Sequence, residues 1–155
     1  MARVLIIGYG NPLRSDDGLG WYAAVQLFRS SASCDVEVLP CHQLTPDLAE
    51  AVSHADTVVF LDSTHEGTPG EMRCKEIEPV EGSASFSHHL SPEIVLGIAR
   101  DLYGAYPHAW LLTICGHCFE PGETLSAKVA RRLPDLKARV REVTTEALGK
   151  CPIAG

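Results

Sequence analysis

Four near-continuous apolar runs constrain this chain more than any other feature: RVLIIG at 3–8, VEVLP at 36–40, TVVFLD at 57–62 and AWLLTIC at 109–115. Runs of this length, with little polar alternation, suit strands covered on both faces, as in a parallel sheet. Between them, residues 19–30, 45–55 and 91–104 carry apolar side chains at three-to-four spacing and read as amphipathic helices. The last two open with Thr45-Pro46 and Ser91-Pro92, a capping hydroxyl followed by proline at the first helical position, with an acid one residue later to suit the helix dipole. EMRCKEIEP at 71–79 alternates apolar with charged residues, which predicts an exposed antiparallel edge strand. A long final helix is expected over 126–148, interrupted near Pro134. The alternation of strand and helix predicts an α/β fold, a three-layer α/β/α sandwich with right-handed crossovers.

At 155 residues the chain suits a single domain spanning 1–155. A 45% hydrophobic content beside 21% charged residues is globular, and a net charge of -7 argues against nucleic acid or an anionic membrane as the main partner. A basic peptide or a cation fits better. No segment approaches the roughly 18 apolar residues of a membrane span, and the apolar run at 4–7 is too short for a signal-peptide core, so the expected location is cytoplasmic. The cysteines at 34, 41, 74, 115, 118 and 151 are then expected to be free thiols.

Ligands of such sheets gather beyond the carboxyl ends of the parallel strands. The first strand delivers GYGNPLRSDDGLG, residues 8–20, with Asp16 and Asp17; the second delivers Cys41 and His42; the third Asp62; the last CGHC at 115–118. The glycine loop is no dinucleotide fingerprint, because Leu13 stands where the third glycine belongs and two carboxylates would meet the phosphates. A Walker loop is excluded, since no Gly-Lys-Ser/Thr follows. Asn11-Pro12 suits a turn, and one of the paired acids suits a helix cap, a role that fits Asp16 more readily than Asp17. Asp62 at a strand end and the loop pair His88 and His89 each have ordinary structural uses. Two carboxylates and an imidazole brought to one sheet edge would form a mixed O/N set suited to nickel or zinc. CGHC invites a redox reading, but FEPGE follows it where an activating helix start is wanted, and no second CxxC exists.

Taken together, GYGNPLRSDDGLG, HQLTPDLAEAVSHADTVVFLD, SHHLSP and FEPGETLS resemble the NiFe-hydrogenase maturation endopeptidases across nearly the whole chain. The resemblance implies a mixed five-stranded sheet with one antiparallel strand and helices on both faces. It implies a substrate, the hydrogenase large-subunit precursor, whose C-terminal tail is removed after nickel insertion, the nickel being carried by that substrate. Its metal-contacting positions fall on Asp17, Asp62 and His88, with His89 in the variable place. Members often carry Glu at the position of Asp17, a difference of one carbon-carbon bond. Asn11 is the expected substrate-binding residue, and Asp17 or Asp16 the expected group to orient the attacking water. No Ser-His-Asp set, HExxH helix or Asp-Thr-Gly pair offers another nucleophile or base. Two rival readings are a non-catalytic nickel-binding chaperone, using the same three residues with His42, His117 or the cysteines, and a thiol oxidoreductase using Cys115 and Cys118.

Overall fold

The computed structural model describes residues 3–30, 33–80 and 90–149. In chain order these form β1 (Val4–Tyr9), a single 3-10 turn (Ser15–Gly18), α1 (Leu19–Ser30), β2 (Val36–Cys41), α2 (Leu48–Ser53), β3 (Thr57–Thr64), β4 (Met72–Ile77), α3 (Pro92–Tyr103), β5 (His108–Cys115), α4 (Ala127–Ala130) and α5 (Leu133–Ala147). The strands make one five-stranded sheet in the order β2-β1-β3-β5-β4. β4 pairs antiparallel with β5, and the remaining pairs are parallel. The expected mixed α/β sheet with one antiparallel strand is therefore the fold observed.

Successive residues of the apolar strands serve opposite layers, because side chains alternate across a pleated sheet. Val4 and Ile6 of β1, with Val59 and Leu61 of β3, pack against Ala23, Leu27, Leu136 and Val140 of α1 and α5. Leu5 and Ile7, with Val58 and Phe60, pack against Leu48, Val52, Val95 and Ala99 of α2 and α3. Covering both faces removes polar positions from the central strands, which is why they read as unbroken apolar runs.

Helix α3 follows its sequence signals: the Ser91 side chain accepts the Ile94 N–H at 3.2 Å, and Gly104 ends the helix at a left-handed φ of 65°. Helix α2 is shorter than expected. Thr45 does not cap it; instead Leu48 N–H bonds to Thr45 O and Ala49 N–H to Pro46 O, each at 3.1 Å, so the chain turns tightly before the α-helix begins at Leu48. The final helix is broken before Pro134 into α4 and α5, since proline enters α5 in its first turn, where no amide donor is required. Among the described residues no helix is long and apolar enough to cross a membrane.

Candidate active site

The loop after β1 owes its shape to two close approaches. At Gly10, φ is +146° and a Cβ would lie 1.9 Å from the Asp17 carbonyl oxygen, so only glycine fits. At Gly20, a Cβ would lie 2.2 Å from Leu61 O and 2.5 Å from Tyr9 O, so its absence lets α1 press directly onto β1 and β3. The glycines thus bring the start of α1 onto the sheet and fold the intervening acids over the strand ends. Asn11 closes the turn: its side-chain oxygen accepts the Leu13 N–H at 2.9 Å, and its own N–H donates to Asp17 Oδ2 at 3.0 Å.

The two neighbouring acids take different directions. Asp16 is fully buried, and its carboxylate accepts N–H bonds from His117 at 2.7 Å, Cys118 at 2.9 Å and Ser126 at 2.8 Å, plus the Ser126 hydroxyl at 2.8 Å. Its N–H in turn donates to Cys118 O. Burial pushes the carboxyl pKa up, but the bonds from Cys118, Ser126 and His117 outweigh it and leave the group below its ordinary value. Asp16, which with Asp17 was expected to orient water, accepts four hydrogen bonds from the 117–126 segment and fastens the loop. The same segment is tied on by Ser15 Oγ to Glu120 O at 2.7 Å, Ser15 N–H to Gly122 O and Gly122 N–H to Leu13 O.

Asp17 is only partly buried and lines an open cleft of about 1270 Å³. Asp62, near the end of β3, lines the same cleft, as do Tyr9, Asn11, Leu13, Arg14, His42 and Ser91. Ser63 N–H donates to Asp62 Oδ1 at 2.7 Å, and Tyr9, which follows Gly8 in β1, lies on the neighbouring strand. Burial, joined by repulsion from Asp17, outweighs the lowering effect of hydrogen bonding and pushes the Asp62 pKa up from 3.8 to about 7. Burial and the charges of Asp62 and Glu93 push the Tyr9 phenol far above its ordinary range, so it stays a hydrogen-bond donor.

Of the expected site, Asp17, Asp62 and Asn11 meet in this cleft, whereas His88 lies outside the described residues, as does His89. Among the described residues no cluster of three His, Cys, Asp or Glu side chains could hold a metal ion. Two carboxylates beside one opening still form a hard, anionic pair suited to a divalent cation. His42 is exposed on the rim, its ring centroid 6.2 Å from that of Trp21. Cys115 is buried and directs its thiol to Gly67 O at 3.3 Å, while no helix follows it before Ala127. Among residues 117 and 118, main-chain amides rather than side chains contact Asp16. Sequence reasoning missed Tyr9 and Ser126. A polar-tipped residue ending an otherwise apolar strand was the available signal for Tyr9; Ser126, distant in sequence from Asp16, offered none.

No family model matches the sequence, and no curated protein sequence matches it. Solved structures do. The NiFe-hydrogenase maturation protease HycI of Thermococcus kodakarensis KOD1 is 26% identical, covers 92% of each chain and superposes with a TM-score of 0.75. The hydrogenase maturating endopeptidase HybD of E. coli is 22% identical over 94% of this chain and 93% of its own, also at 0.75. The hydrogenase 2 maturation peptidase of a Thaumarchaeota archaeon is 24% identical over 95% and 98%, at 0.65. The second and third of these establish the shared fold; the first adds sequence likeness over nearly the whole length. Joined to the opening-loop motif and the strand-end acid, they make the chain similar, in fold and over nearly its whole length, to the NiFe-hydrogenase maturation proteases.

Proposed function

We propose that the protein removes the C-terminal tail of a NiFe-hydrogenase large-subunit precursor once nickel is in place, and that Asp17 and Asp62 read the substrate's nickel. The observation that carries this reading is the pair of carboxylates lining one open cleft, close enough that the charge of Asp17 raises the pKa of Asp62. A divalent cation relieves that repulsion, whereas an empty cleft must bear it. His88 is proposed as the third contact, on the strength of the His-x-Leu motif.

The two carboxylates leave most of the metal's coordination to the substrate, so nickel binds firmly only as part of the precursor. The metal then tethers the precursor with its tail along the cleft. With Asp16 spent on loop fastening, Asp17 is the loop acid left to orient water. Water adds to the scissile carbonyl, gives a proton to a carboxylate, and the proton passes to the departing amide nitrogen.

The test is to incubate the purified protein with large-subunit precursor, with and without nickel, and to follow its length on a gel. A single shortening near the C-terminus of the nickel-loaded form alone is expected. Cutting of the nickel-free precursor, or of neither form, overturns the proposal.

A further inference from the structure

Leu13 stands in the loop after β1 and is 59% exposed. A lone exposed leucine is ordinary on a protein surface. Of the exposed large apolar side chains among the described residues, however, Leu13 alone lines the cleft that holds Asp17 and Asp62. Its main chain is fixed. The Leu13 N–H donates to Asn11 Oδ1 and its carbonyl accepts the Gly122 N–H, each at 2.9 Å, while the Pro12 carbonyl before it accepts the Tyr22 hydroxyl at 3.1 Å. With both main-chain groups engaged, what Leu13 offers a ligand is its apolar side chain, on a backbone held in place.

Asn11 also sets how far that residue stands from the carboxylates. Its side chain accepts the Leu13 N–H, and its own N–H donates to Asp17 Oδ2 at 3.0 Å. The Leu13 nitrogen and the Asp17 carboxylate are then at most about 10 Å apart, the reach of about three extended residues. Leu44, Pro46 and Leu90 add apolar surface to the same cleft. We propose that Leu13 is a specificity-determining residue, which takes an apolar side chain of the precursor within about three residues of the scissile bond. This rests on the function proposed above.

The test measures binding of fluorescently labelled, nickel-loaded precursor by anisotropy, and cutting on a gel. Each apolar residue of the precursor's C-terminal segment is changed in turn to Asn and presented to wild type and to Leu13→Asn. Loss of the buried leucine side chain is expected to weaken binding about tenfold. One precursor position is expected to cost the wild type about tenfold as well, yet cost Leu13→Asn less than about twofold, because its partner is already gone. A wild type that binds the precursor without cutting it overturns the proposed function, and the coupling then still decides the role of Leu13. Unchanged affinity in Leu13→Asn, independent losses at every precursor position, or coupling confined to positions remote from the cut would overturn the inference.

Discussion

Ser126 donates both its backbone N–H and its hydroxyl to the carboxylate of Asp16, each at 2.8 Å. One buried side chain thereby joins the loop after β1 to the segment after β5, 110 residues further on.

Asp16 and Asp17 should therefore respond in opposite ways to substitution. Asp16→Ala leaves four donors around a buried site without their acceptor and is expected to cost about 3–5 kcal/mol of stability. Asp17→Asn, on the cleft wall, is expected to change stability by less than about 1 kcal/mol while abolishing precursor processing. Urea denaturation beside the gel assay separates the two, and an inactive, fully stable Asp16→Ala would contradict the fastening role.

Stability should fall with rising pH through the titration of Asp62. Its folded pKa of about 7 exceeds the unfolded value near 3.8, so the folded state binds the proton more tightly. Below about pH 4 both states are protonated; between 4 and 7 stability is lost as pH rises; above 7 the full cost of the buried charge is present. Asp62→Asn should accordingly be more stable than wild type at pH 8, by about 1–3 kcal/mol, and lose that advantage near pH 4. Denaturant midpoints at the two pH values check the sign. An equal midpoint difference at both would show that Asp62 titrates normally.

Gly10→Ala should harm both fold and function. The residue adopts φ +146°, and its new methyl would meet the Asp17 carbonyl at 1.9 Å, so the loop must move. A loss of about 2–4 kcal/mol is expected, with processing reduced because Asp17 shifts with the loop. A thermal melt and a processing time course read the two effects, and a wild-type melt would refute the close approach.

Cys118→Ser should be near neutral in both respects, since only the main chain of residue 118 engages Asp16. Cys115→Ser, at a buried position, should cost about 1–2 kcal/mol but retain processing. Loss of cleavage in a folded Cys118→Ser protein would restore thiol chemistry as the function.

The elements of this fold were legible in the sequence because they follow from local periodicity. Val4 to Ile7 and Val58 to Leu61 are apolar on every side since both faces of the sheet are covered, and Ser91-Pro92 and Gly104 mark both ends of α3. The opening motif and the strand-end acid likewise announced which residues would gather beyond the sheet. Local pattern did not decide the division of labour between Asp16 and Asp17. In a 3-10 turn adjacent side chains point about 120° apart, so only one of them can face the cleft. Which one does so depends on Cys118 and Ser126, more than 100 residues away. The place of Tyr9 on the strand beside that of Asp62 also waited on tertiary structure, because strand register is a relation between two segments that neither segment encodes alone.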